Sequence, residues 1–122
     1  MSARARGKLE VRAKFWLELD GRAVFGDGKA RLLEEVQRSG SLAAAAEAMG
    51  MSYRTLWGRL REMERRLGFR LVSRRAGGPG GGGSTLTAEG RELLRRYRAF
   101  RRGLEGFVQK RFEKAFGKYH PG

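Results

Sequence analysis

Apolar and polar side chains alternate strictly near the start of the chain: Leu9, Val11, Ala13, Phe15, Leu17 and Leu19 fall on one side, Glu10, Arg12, Lys14, Trp16, Glu18 and Asp20 on the other. A period of two predicts a half-buried strand. Asp20-Gly21 tolerates positive φ at both positions of a two-residue turn, so Arg22 to Phe25 is expected to return as a short partner strand. Gly26-Asp27-Gly28 breaks that strand. Asp27 can cap a helix running to about Ser39, with Leu32, Leu33 and Val36 as its apolar face and Gly40 as its stop.

From Ser41 to Leu67 the period changes to that of helices. Ser41 and Ser52 are both good N-caps, because a serine hydroxyl accepts from a first-turn N–H that has no helical partner. Four alanines, Ala43 to Ala46, make the first helix thin enough to be crossed closely, and Gly50 closes it. The pattern is that of a helix-turn-helix. In the second helix Tyr53, Leu56, Leu60, Met63 and Leu67 form an inner stripe, and Arg54, Thr55, Gly58, Arg59, Arg61, Glu62 and Arg65 lie outside it. A long basic face of this kind suits the major groove of duplex DNA; the plainer alternative is a solvated helix face.

After the stop at Gly68, Phe69 to Arg75 is strand-like, residues 76–83 hold six glycines, and Ser84 to Thr87 returns. Two short strands around a bare-backbone loop behind such a helix predict a wing whose N–H groups approach phosphates. A flexible linker is the competing reading. A nucleotide-phosphate loop is not, since no Lys-Ser or Lys-Thr follows the glycines. Thr87 caps a last helix expected from about Ala88 to Gly117, about 29 residues and on the order of 43 Å long. Its apolar positions Leu93, Tyr97, Phe100, Leu104, Phe107 and Val108, extended by Phe112 and Phe116, keep a 3-4 spacing. A second copy of the chain is the economical partner for that seam; folding back over the N-terminal hairpin is the alternative.

Charge changes this picture more than composition does. The 122 residues carry a formal net charge of +14, which points to a polyanionic partner: nucleic acid first, an anionic membrane surface second. Arg54 to Arg75 alone contains eight arginines against two glutamates, Glu62 and Glu64, both read as solvated. There is no cysteine, so disulfides and thiolate metal sites are excluded, and the single histidine, His120, reads as tail. No metal-ligand cluster, catalytic constellation or cofactor motif emerges, which argues against an enzyme. The absence of an apolar run near 18 residues, or of a signal-peptide core, makes a cytoplasmic protein the expectation. The expected layout is a disordered basic arm over 1–7, with entry of Arg4 and Arg6 into a minor groove as the alternative, a winged domain over 8–87, and a C-terminal helix with tail over 88–122.

One combination is more specific. Gly50-Met51-Ser52-Tyr53-Arg54 with Trp57, preceded by Ser39-Gly40-Ser41 and Ala43-Ala44-Ala45, then Gly77 to Gly83 with Leu86-Thr87 and Gly90, resembles the N-terminal DNA-binding domain of ModE-type molybdate-responsive regulators, over roughly Lys8 to Tyr97. The helix-turn-helix alone is similar to that of LysR-type regulators. The resemblance implies a mainly α fold with small β, a winged helix-turn-helix with an N-terminal hairpin and a long C-terminal dimerisation helix, acting as a homodimer on a two-fold operator. It carries Ser52, Tyr53, Arg54, Thr55, Trp57 and Arg61 as recognition-helix candidates and the wing, Gly80 and Gly81 included, as a backbone contact. Leu56 and Glu64 depart from residues common in the family, and no molybdate-binding module follows the long helix. That implies a regulator served by a separate effector-sensing protein, or one without the molybdate response.

The reading is therefore a sequence-specific regulator of transcription, nucleoid-bound in the cytoplasm. Arg54 and Arg61 are the candidates for guanine edges and Thr55 for a thymine methyl, with Arg59, Arg65, Arg70, Arg74 and Arg75 on phosphates. The alternative is a non-specific nucleoid-associated or RNA-binding protein using the same charge.

Overall fold

The computed structural model describes residues 7–75 and 83–120. Its elements, in chain order, are β1 (Trp16–Leu19), β2 (Arg22–Gly26), α1 (Asp27–Ser39), α2 (Leu42–Ala48), α3 (Tyr53–Leu67), β3 (Val72–Arg74), β4 (Ser84–Leu86), α4 (Ala88–Arg101) and α5 (Leu104–Phe116). Two compact units divide the chain, one of Phe15–Ala99 and one of the residues before and after it.

In the larger unit β1 and β2 form an antiparallel hairpin through Asp20-Gly21, at φ 51° and 79°, as the two-residue turn requires. The strand expected from Leu9 is shorter than its alternation, for β2 is only five residues long and its ladder with β1 begins at Trp16. A bulge between Leu17 and Glu18 breaks the register as well. Gly26, not Asp27, stands at the N-cap of α1, without a side-chain cap. The Asp27 carboxylate instead accepts from the Tyr97 hydroxyl.

Both serine caps form as expected: the Ser41 hydroxyl accepts from Ala44 N at 3.1 Å and that of Ser52 from Thr55 N at 3.1 Å. Between them Ala45 and Ala46 are buried, which lets α3 cross α2 closely. Leu56, Leu60 and Met63 of α3 meet Leu32, Leu33 and Val36 of α1 in one core with Phe25, Leu71, Val72, Leu86 and Leu94. Leu67 is only half-buried and Tyr53 is exposed, so the inner stripe is narrower than its spacing suggested. Tyr97, expected on a self-association seam, belongs to this core. Its ring meets Phe25 edge-on at 5.1 Å, and its hydroxyl donates to Asp27.

The antiparallel pair β3–β4 packs beside α1, where Ser84 N donates to Gly40 O at 2.8 Å. Its connecting residues 76–82, including Gly80 and Gly81, lie outside the described residues, as does the arm over 1–6. Gly90 lets α4 approach the start of β3 closely: a Cβ there would lie 2.3 Å from Leu71 O.

The C-terminal helical stretch is interrupted. Gly103, at φ 79°, ends the run after Arg101 and stands as N-cap of α5. The apolar spacing persists through this point, but a glycine in the left-handed region cannot continue an α-helix. Within the smaller unit α5 has no buried residue; Phe112 stacks on Phe116 at 5.3 Å, and Phe107 is 64% exposed.

Candidate nucleic-acid interface

The α3 face turned away from the core carries Tyr53, Arg54, Thr55, Gly58, Arg59, Arg61 and Arg65, all exposed. Its N-terminal turn is fixed by Ser52, whose hydroxyl donates to Thr55 Oγ1 at 2.9 Å while accepting from Thr55 N. That ties down the Thr55 hydroxyl and leaves its methyl as the freer contact. Among the described residues Arg54 and Arg59 have no ion-pair partner, and nor do Arg74 and Arg75 at the end of β3. Four cations thus stand ready on two elements, with Tyr53, Arg74, Arg75 and Gly83 lining one groove beside Ser41. On its other flank α3 borders an open cleft of about 760 Å³ rimmed by Arg54, Arg59, Lys29 and Trp16.

The remaining arginines are less available than a count suggests. Arg65 and Arg66 both pair with Glu62, Arg66 Nε at 2.7 Å. Their hydrogen bonds, Arg66 first, hold its carboxyl below the usual range. Glu64, expected to be solvated, is buried. Its Oε2 accepts from Leu71 N at 2.8 Å and Val72 N at 3.2 Å, and its carboxylate faces Arg61 at 3.6 Å and Arg70 at 3.5 Å. One buried carboxylate thereby joins the last turn of α3 to the first residues of the wing strand. Sequence reasoning missed this role, although Glu64 lies four residues beyond Leu60, on the flank of the buried stripe.

Trp57 is half-buried and binds the two elements from the other side. The guanidinium carbons of Arg61 and Arg74 lie 5.5 and 5.6 Å from its ring centroid, within cation–π range. Arg61 is held by this ring and by Glu64, which argues against its place as a free reader of bases. Thr87 completes the frame: its hydroxyl donates to Arg70 O at 2.6 Å and accepts from Gly90 N at 3.0 Å, fixing the start of α4 against the wing. Among the described residues there is no group of three His, Cys, Asp or Glu placed to hold a metal ion, and no helix long and apolar enough to cross a membrane.

A tri-helical core with its tight turn between α2 and α3, followed by a two-stranded wing, defines a winged helix-turn-helix domain. Residues 28–91 match the family of bacterial regulatory helix-turn-helix proteins, lysR family, and the chain belongs to it. It is similar to the molybdenum transport protein ModE of Azotobacter vinelandii, 38% identical over 87 residues that make up 71% of this chain and 32% of that protein. It also resembles the molybdenum-pterin-binding protein MopB of Rhodobacter capsulatus, 34% identical over 76% of this chain and 34% of that one. The DNA-binding transcriptional dual regulator ModE of Escherichia coli strain K12 is 39% identical over 54% of this chain and 25% of its own. The chain spans between a quarter and about a third of the length of these relatives. Among solved structures, the DNA-binding domain of CbnR in complex with DNA superposes with a TM-score of 0.56 at 26% identity, over 72% of this chain and 94% of that one.

Proposed function

We propose that this chain is a ModE-like regulator of transcription that binds double-stranded DNA as a homodimer, with α3 in the major groove and the wing on the flanking backbone. The reading rests on one observation above all: Arg54 and Arg59 on α3, and Arg74 and Arg75 on the wing, stand exposed and, among the described residues, without carboxylate partners, beside arginines that are neutralised. Unpaired cations along one face are what a polyphosphate rewards, since each neutralised phosphate releases counterions. Support comes from relatives named as regulators and from a neighbour solved on DNA. The activity is binding, without a chemical step, in the compartment that holds the chromosome.

In this reading Arg54 takes a guanine edge and Thr55 a thymine methyl. Ser52 and Tyr53 lead the helix into the groove, and Arg59, Arg74 and Arg75 hold phosphates, while Arg65 and Arg70, paired with Glu62 and Glu64, contribute less. Two copies of α3 reach successive major grooves about 34 Å apart on a two-fold operator, with Leu93, Phe100, Leu104, Phe107 and Val108 supplying the seam.

Selection from a random duplex pool, followed by titration of the selected and a scrambled duplex at several salt concentrations, tests it. The expected result is a two-fold motif bound 10³-fold or more tighter than scrambled DNA, on the order typical of specific regulators. Arg54→Ala is expected to erase much of that ratio, whereas Arg75→Ala weakens both duplexes alike and lowers the salt slope by about one. A steep salt slope with no motif would make the chain a sequence-indifferent DNA- or RNA-binding protein instead.

A further inference from the structure

The wing of this domain is short, and its strands β3 and β4 pair over only three residues each. Something must set its angle to α3 if charges on both elements are to meet one DNA backbone. The buried Glu64 fixes the root of β3. Arg74 is three residues further out than Leu71, and no carboxylate holds it among the described residues. Its guanidinium lies instead over the Trp57 ring, 5.6 Å from the centroid, and Arg61 from α3 itself lies 5.5 Å from the same ring.

Two guanidiniums converging on one indole repel each other. The arrangement is tolerable because the ring face is electron-rich and because Glu64 stands 3.6 Å from Arg61, offsetting one of the two charges. The residual charge is that of Arg74, on the side where DNA would lie. We propose that Trp57 is a positioning residue: it registers the wing against α3 by holding Arg74, so that this cation is aligned for a phosphate before DNA arrives, and Arg61 serves the latch in place of reading a base. The inference rests on the DNA-binding reading above and adds to it a fixed coupling between helix and wing.

The chain has two tryptophans, so Trp16→Phe leaves Trp57 as its one fluorescent indole. In that background Arg74→Gln is expected to shift Trp57 emission in the free protein, because a stacked cation is removed. An unchanged spectrum would overturn the latch whatever the protein binds. Titration of a fluorescein-labelled, mixed-sequence 30-base-pair duplex over a salt series then tests its consequence. Trp57→Ala is expected to weaken binding about three- to fivefold, the worth of one exposed cation–π contact, and to lower the salt slope by about one, as Arg74→Gln does. The double variant should bind no worse than either single one, since both changes disable the same contact. Trp57→Phe should keep most of the affinity.

The salt slope separates positioning from mere folding support. A variant that is only partly folded binds with fewer molecules but with the native slope. An unchanged slope for Trp57→Ala, with additive losses in the double variant, therefore refutes the positioning role while leaving DNA binding in place. Failure of the unsubstituted protein to bind the duplex in a salt-dependent way would remove the DNA reading, and the proposal with it.

Discussion

Gly58 faces outward from α3 between Arg54 and Arg61, and a Cβ added there would meet nothing within 4 Å. An exposed mid-helix glycine costs about 1 kcal/mol relative to alanine. Gly58→Ala is thus expected to raise stability by about that amount in urea unfolding, yet to weaken duplex binding if the bare backbone is what lets α3 settle into a groove. Opposite signs in the two measurements would identify a residue kept for approach at the expense of stability; a stabilised variant with unaltered binding would place Gly58 off the contact. Glu64 tests the reverse case. Removing its carboxylate leaves the Leu71 and Val72 N–H groups buried without an acceptor and Arg61 and Arg70 without a counter-charge. Glu64→Ala should cost about 3 kcal/mol on unfolding, and amide exchange at Leu71 and Val72 should speed up before the rest of the core.

At the scale of elements, what could be read from the chain is what closes locally. Ser41 and Ser52 cap α2 and α3 with bonds spanning three residues, and Asp20-Gly21 turns the hairpin by its own backbone preference. These are legible because every partner lies within one turn. Glu64 reaches seven residues forward and Tyr97 seventy back to Asp27, and neither partner is visible in a periodicity. The break at Gly103 was hidden for another reason: the 3-4 apolar spacing runs through it, and spacing carries no information on φ. Of the candidate interface, the unpaired arginines were legible as a class, whereas which of them a glutamate would silence was not. Two predictions belong to α4. Gly90→Ala drives a methyl into Leu71 O and should destabilise the fold by about 2 kcal/mol. On the exposed side, hydrogen bonds from Arg95 and then Arg96 hold the Glu92 carboxyl down at about 2 from an ordinary 4.5. A depressed carboxylate contributes stability above its unfolded value and loses it as pH falls through the folded one. The contribution of this pair should therefore fade between about pH 4.5 and 2, and be small throughout because the pair is solvated. Carboxyl-carbon NMR titration of Glu92 reads it directly, and an ordinary midpoint near 4.5 would show the pairs do not persist in solution.

At the scale of the whole molecule, α5 is the helix whose apolar residues stay accessible. Leu104 and Val108 are half-buried and Phe107 is 64% exposed, on a helix with no buried residue of its own. Left in water such a face is unfavourable by roughly 25 cal/mol per Å² of apolar surface. Its cations, Lys110, Arg111 and Lys114, lie among the same 13 residues, so a basic nucleic-acid face and an apolar self-association face compete for one short helix. The break at Gly103 also means that a seam made with a second copy is not one continuous heptad run through α4. If the dimer is made here, sedimentation equilibrium at micromolar concentration should give twice 13.7 kDa, and Phe107→Glu should return the mass to one chain without changing the unfolding of the larger unit. Binding to a duplex bearing two half-sites should then fall by roughly 100-fold or more, the worth of a second tethered contact, while binding to a single half-site stays the same. A loss on both duplexes would mean that α5 acts on the phosphates through its cations, and a mass that stays at two chains would move the seam to Leu93 and the exposed side of α4.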